Sequence, residues 1–168
     1  LKKEIKKFDT VILIDYGHGF IDYDIYKILK QKAKFLSINC QSNSANLGFN
    51  LITKYPKSDF ICIDEPELRL AASDNISDIE KIVSKKIIKK INCKNITITR
   101  GRKGSFSFLN SKKINIPALI SDKVIDTIGA GDVFLGITSL LYSSKSDQLV
   151  TNIIGNIAGA LKVDILGH

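Results

Sequence analysis

The chain has 168 residues, of which 44% are hydrophobic and 25% charged, and its formal net charge is +8. That length suits one domain with a sizeable core, and the composition lies far from the polar, highly charged regime of disordered chains. No apolar run approaches the roughly 20 residues that cross a bilayer, and the lysine-rich residues 1–7 lead into no apolar signal segment. The expectation is therefore a cytoplasmic protein without a membrane partner.

Cys40, Cys62 and Cys93 stand far apart without a CxxC pair. They read as small buried residues rather than a disulfide framework or a zinc site. Lysines are scattered, as in Lys81, Lys85, Lys86, Lys89 and Lys90 around one helical stretch, and the aromatic residues lie among apolar positions. The positive excess reads as a solvated face, so nucleic acid is not an expected partner.

Residues 10–14 form a β-branched run that stops at Asp15-Tyr16-Gly17-His18-Gly19, a strand followed by a glycine-broken turn. Ile21, Ile25, Ile28 and Leu29 have helical spacing, and residues 35–39 read as the next strand. Ser44 is expected to cap a helix running to about Tyr55, just ahead of Pro56. Residues 60–63 read as a third strand ending at the acidic cluster Asp64-Glu65-Pro66-Glu67. A further helix, capped by Ser77, turns Ile79, Ile82, Val83 and Ile87 inward, and residues 95–99 supply a fourth strand.

Strands alternating with helices predict a mainly parallel sheet flanked by helices, with ligands gathering at the carboxyl ends of the strands. After Gly101 the pattern changes to two short strands, residues 105–109 and 113–116, joined by Asn110-Ser111-Lys112. This predicts an antiparallel hairpin at one edge. Two helices with broad apolar faces, about 130–142 and 148–163, close the chain.

The segment Asp126-Thr127-Ile128-Gly129-Ala130-Gly131-Asp132 lies between the hairpin and a strongly apolar helix. Small residues let the amides of Gly129, Ala130 and Gly131 approach an anion, and the positive helix end adds to the attraction. Asp132, in the first helical turn, is placed to accept the proton of an attacking hydroxyl. On spacing alone, an Asp-rich helix cap with glycines for a tight turn explains the segment equally well.

These seven residues resemble the DTxGAGD motif of the ribokinase or phosphofructokinase-B family of carbohydrate kinases, with every fixed position present. Thr99-Arg100-Gly101-Arg102-Lys103-Gly104 looks like the family's TxGxxG nucleotide loop, and Asn156-Ile157-Ala158-Gly159-Ala160 resembles the helix bordering its adenine site. The resemblance implies a three-layer α/β fold and transfer of the γ-phosphate of ATP to a hydroxyl of a sugar or sugar phosphate. It makes Asp132 the base and acceptor contact, the 129–131 amides an anion hole, and Thr99, Gly101, Gly104, Asp126, Thr127 and Asn156 the nucleotide frame. Arg100, Arg102 and Lys103 read equally as phosphate contacts or as a solvated basic turn.

The family's Asn-x-x-Glu, which acts through Mg²⁺ and its waters, is matched by Asp64-Glu65-Pro66-Glu67. Glu67 carries over directly. Asp64 keeps an oxygen for a hydrated metal but adds negative charge; the cluster also reads as a solvated strand-end loop.

Asp15-Tyr16-Gly17-His18-Gly19 looks like the D-Y-G-K-G stretch of heptose-phosphate kinases, with His18 in place of the lysine. Asp15 and His18 are thereby candidate substrate contacts, although a lone histidine is also commonly a hydrogen-bonded turn residue. Residues 41–55 are reminiscent of kinase modules that stand beside cytidylyltransferase modules, which implies a fused nucleotidyltransferase. The chain reads as the carboxyl-terminal part of a ribokinase-like domain, 1–168, without the amino-terminal half that supplies most sugar contacts. Little activity is expected of that part alone. The open sheet edge leads to an expected homo-oligomer. A noncatalytic nucleotide- or partner-binding module and a purely structural domain are the competing readings.

Overall fold

The computed structural model describes residues 2–119 and 124–166. Its six strands are β1 (Val11–Asp15), β2 (Leu36–Cys40), β3 (Phe60–Asp64), β4 (Asn95–Thr99), β5 (Ser105–Leu109) and β6 (Lys112–Ile116). They form one sheet in sequential order. Strands β1 to β4 run parallel, and β5 and β6 are antiparallel to their neighbours. The expected edge hairpin is present with a tighter turn: Leu109 pairs with Lys112, leaving only Asn110 and Ser111 as the loop. Both have positive φ, 49° and 74°, the twist that a two-residue hairpin requires.

Helices cover both faces. On one lie α1 (Tyr23–Lys32), α2 (Glu65–Ala72) and a broken helix made of α3 (Ile79–Ile82), a π-helical turn (Val83–Ile87) and α4 (Ile88–Lys90). On the other lie α5 (Ala130–Ser143) and α6 (Gln148–Val163). The period-two alternation of the strands divides the interior accordingly. Ile38, Ile61, Ile63, Ile96, Ile98, Phe106 and Phe108 join Tyr26, Leu29, Leu68, Ile82 and Ile87 in the larger core. Phe60 and Cys62 face the opposite way, against Phe134, Leu135 and Tyr142.

That second interface is unusually polar. Ser37 shares a hydrogen bond with Ser139 at 2.6 Å, Thr10 donates to Ser143 at 2.6 Å, and Gln148 donates to Ser107 at 3.0 Å. Asn152 donates to the Tyr142 hydroxyl at 2.7 Å and to the Gln148 carbonyl at 2.8 Å. In consequence α6 sits the other way round from an ordinary amphipathic helix. Gln148, Thr151 and Asn152 are buried, whereas Leu149, Val150, Ile153, Ile157 and Leu161 are exposed.

Three expectations fail. Residues 44–55 contain only a short 3₁₀ turn, Ile52–Lys54. The Asn43 carboxamide accepts from the backbone N–H groups of Ala45 and Asn46, Asn46 accepts from that of Asn43, and Gly48 has φ +81°. Such local side-chain bonds compete with a helical backbone. Conversely, the acidic cluster after β3 is no loop, because Asp64 caps α2 and Glu67 completes a capping box. The N-cap of α3 is Asp78, one residue beyond Ser77.

Candidate functional site

Two clefts open at the carboxyl ends of the parallel strands, each of about 380 Å³. The first is mainly apolar, bounded by Gly101, Arg102 and Gly104 on one side and by Phe134, Asn156, Gly159, Ala160 and Val163 on the other, with Thr127 at its floor. The second is polar and contains Asp132, Glu67, Gln41, Asn39, Ser42 and Tyr16. Asp64, Thr99 and Gly131 line both, so the clefts adjoin.

The loop after β4 is shaped by its glycines. Gly104 has φ +82°, and a Cβ there would lie 1.9 Å from the Ile116 carbonyl oxygen. Only glycine lets this loop pass beneath the chain that leaves β6. Asn156 reaches the cleft from α6, its amide nitrogen held by Ser105 Oγ and the Asn152 carbonyl, both at 2.8 Å. Arg102 lines the first cleft. Arg100 is turned away, donating to Glu65 at 3.1 Å, and Lys103 lines a neighbouring groove.

Gly129, with φ +79°, turns the chain into α5. Asp126 Oδ1 accepts from the Ile128 N–H at 2.9 Å and fixes the approach. The Ala130 N–H makes a long turn bond of 3.4 Å to the Thr127 carbonyl, and the first intrahelical bond runs from Val133 to Gly129. Helix geometry leaves the intervening Gly131 and Asp132 N–H groups without intrahelical partners, at the positive end of the dipole. Asp132 itself belongs to the helix's first turn. Its carboxylate accepts from Gln41 Nε2 at 3.0 Å; burial, followed by the Asp132 charge, pushes the nearby Tyr16 phenol up from its ordinary pKa.

Glu67 accepts from the backbone N–H groups of Ser42 and Asp64, at 3.1 and 3.0 Å. Burial, followed by the negative charges of Asp64 and Asp132, raises its pKa to about 7 against the two backbone bonds that favour the ion. Asp64 is raised for the same first reason, burial. No group of three His, Cys, Asp or Glu side chains suited to holding a metal ion occurs among the described residues. Two acids converging on one cleft do fit Mg²⁺, which keeps several waters and binds through one or two carboxylates and substrate phosphates.

The structure brings Asp132, Gly129, Gly131, Thr99, Asp64 and Glu67 to one cleft, and Thr99, Gly101, Gly104, Thr127, Ala130 and Asn156 to the other. Neither cleft is lined by Asp15, His18 or Asp126. Asp15 is 3% exposed, and its carboxylate accepts from Gly17 N–H at 2.9 Å and Tyr55 hydroxyl at 2.7 Å and pairs with Lys54. Burial pushes this carboxyl up, but the Lys54, Tyr55 and Gly17 hydrogen bonds outweigh burial and hold it below the usual range. His18 is exposed on the adjoining turn. Gln41, Asn39, Ser42 and Tyr16 were not among the sequence candidates, although Tyr16 lies in the 15–19 stretch and Gln41 and Ser42 in the 41–55 stretch; all four stand at or just past the ends of β1 and β2.

The layered architecture and its two clefts define an α/β protein of the ribokinase-like fold. Ribokinase of Arabidopsis thaliana, solved with ribose and ATP, superposes with a TM-score of 0.80 at 20% identity, over 99% of this chain and 53% of that one. Ribokinase of Thermotoga maritima gives 0.77 at 22% identity, covering 99% and 54%. Residues 19–151 match the pfkB family carbohydrate kinase model, and the chain belongs to that family. It is also 27% identical to the bifunctional protein HldE of Koribacter versatilis over 95% of this chain and 32% of that protein. The chain thus spans about half of the solved structures and a third of the curated relative.

Proposed function

We propose that this chain carries the nucleotide site and catalytic base of a kinase that transfers the γ-phosphate of ATP to a hydroxyl of a sugar or sugar phosphate. The observation that supports this most is that the two clefts adjoin at Asp64, Thr99 and Gly131, with Asp132 on the polar side. The cleft between the 101–104 loop and α6, framed by Gly101, Gly104 and Asn156, suits a purine, and among the described residues Arg102 is the cation that lines it. Asp126 and Thr127 shape the approach to the phosphates.

The Gly131 amide, with its neighbours Gly129 and Ala130, offers N–H groups to the charge that builds on the phosphoryl group. The acceptor oxygen attacks γ-phosphorus, its proton passes to Asp132, and the bond to the β-phosphate oxygen breaks to release ADP. Glu67, with Asp64, would hold Mg²⁺ through water. The ion supplies neutralisation of the phosphate charge.

Among the described residues lining the acceptor cleft none is cationic, whereas Asp64, Glu67 and Asp132 are acidic. A neutral hydroxyl is therefore what this part of the site receives, and a phosphate on the acceptor would be held elsewhere. A heptose phosphate is the specific acceptor suggested by the resemblance of residues 15–19 to heptose-phosphate kinases, and HldE, to which the chain is similar, is a bifunctional protein. On the same ground the polypeptide is proposed to carry a fused nucleotidyltransferase. Homo-oligomerisation and a cytoplasmic location complete the reading; no helix of the described residues is long and apolar enough to cross a membrane.

The test is ADP release by the protein at its natural length over sugars and sugar phosphates, heptose phosphate included, beside Asp132→Asn. Acceptor-dependent turnover should fall about 10²- to 10⁴-fold in the variant, the usual range for losing a general base. Equal turnover in both proteins, or none with any acceptor, would move the assignment to a noncatalytic nucleotide-binding module.

A further inference from the structure

The polar contacts between the sheet and α5 form a ladder. Ser143 is reached by Thr10, Ser139 by Ser37 and Asp132 by Gln41, at 2.6, 2.6 and 3.0 Å. Positions 132, 139 and 143 are spaced seven and four apart, so they share one helical face. Ser37 and Gln41 stand on the same side of β2 and its extension, by period-two alternation. Asp132 is thus the top rung of a stripe that fixes the rotation of α5 on the sheet.

Gln41 is held more firmly than a residue just beyond a strand usually is. Its N–H donates to the Asp15 carbonyl at 2.9 Å, and its carbonyl accepts from Asn50 Nδ2 at 2.8 Å. Asn50 also donates to the Asp15 carbonyl at 3.0 Å, and Lys54 donates to Asn50 Oδ1. The buried Asp15 carboxylate with Tyr55 and Lys54 anchors this assembly. None of these residues lines the acceptor cleft except Gln41 itself.

We propose that Gln41 is a positioning residue for the base. It donates from Nε2 to Asp132 Oδ1, and thereby directs Oδ2 to the acceptor hydroxyl. The proposal rests on the reading of Asp132 given above. Because Gln41 has a neutral donor, it orients the carboxylate without neutralising it, as a lysine or arginine there would. The Asp15 cluster reaches the base through the backbone of residue 41. A carboxylate anchored at one oxygen keeps a single direction of approach for the hydroxyl, and misplacement by about 1 Å costs on the order of 10²-fold in rate.

The experiment compares the unsubstituted protein at its natural length with Asp132→Asn, Gln41→Leu and Gln41→Glu, recording kcat, KM for MgATP and the pH profile of kcat. Gln41→Leu removes the donor and should lower kcat about 10- to 10²-fold, with KM for MgATP within about twofold. Gln41→Glu keeps the shape but opposes two carboxylates, which disfavours ionisation of both; the acid limb of its profile should move to higher pH. Loss of mere structure would move neither the profile nor kcat apart from KM. If Asp132→Asn abolishes turnover while Gln41→Leu retains it, or if the Gln41→Glu profile is unmoved, Gln41 has no positioning role and the kinase reading stands. If Asp132→Asn is as active as the unsubstituted protein, or no acceptor supports turnover, both ideas fall together.

Discussion

Glu67 shows how a single residue joins stability to function. Its two oxygens close the capping box of α2 and tie down Ser42, yet burial raises its pKa to about 7. An unfolded glutamate loses its proton near 4.5, so the folded protein binds that proton more tightly. Its stabilising contribution is full below about 4.5 and is lost as the pH rises through about 7. Urea unfolding should show the unsubstituted chain losing about 2–3 kcal/mol relative to Glu67→Gln between pH 5 and pH 8. A constant difference across that range would mean that Glu67 is ionised throughout. Metal binding needs the ionised form, so the state that weakens the fold is the one suited to Mg²⁺.

At the scale of elements, the contact between the sheet and the α5–α6 pair runs against the usual hydrophobic pattern. The stripe Leu149, Ile153, Ile157 and Leu161 predicts the inward face of α6, and the structure instead turns Gln148, Thr151 and Asn152 inward. The reason lies in the opposing strands, where Thr97, Ser105 and Ser107 present hydroxyls on that side of the sheet. Buried polar groups must be paired, and α6 supplies the partners. Asn152→Leu should therefore destabilise the chain by about 1–3 kcal/mol, by stripping partners from the Tyr142 hydroxyl and Thr97. Ile157→Gln, on the outer stripe, should change it by less than about 0.5 kcal/mol. Paired thermal or urea melts decide this, and a larger loss from the outer change would put the packing face on the other side of α6.

At the scale of the whole molecule, binding and folding are linked through the loop after β4. A ligand that binds only the native state raises stability by mass action, about 2.7 kcal/mol at a hundred times its dissociation constant. MgATP should thus raise the melting temperature of the chain, with Asp132→Asn retaining the shift because the base is not needed for binding. Gly104→Ala places a side chain on the Ile116 carbonyl at positive φ; it should cost about 3 kcal/mol and remove the shift. A chain that melts at the same temperature with and without MgATP would lack the nucleotide site.

The sequence by itself determined the succession of strands and helices along the chain, the parallel-then-antiparallel character of the sheet and the two closing helices, because period-two runs, glycine turns and apolar stripes are local signals. It also determined which glycines and acids are chemically notable, since Gly104, Gly129, Glu67 and Asp132 lie in short motifs. Only the tertiary structure decided which residues meet. Residues 44–55 read as a helix from their caps, whereas asparagine side chains fold them as turns over Asp15 and Tyr16. Asp15 read as a ligand, yet pairing with Lys54 and Tyr55 from 39 and 40 residues away takes up its charge inside the fold. Gln41 opened the 41–55 stretch but was assigned no role of its own; it meets Asp132, 91 positions on. Contacts between residues so far apart depend on sheet order and helix rotation, which no local pattern encodes.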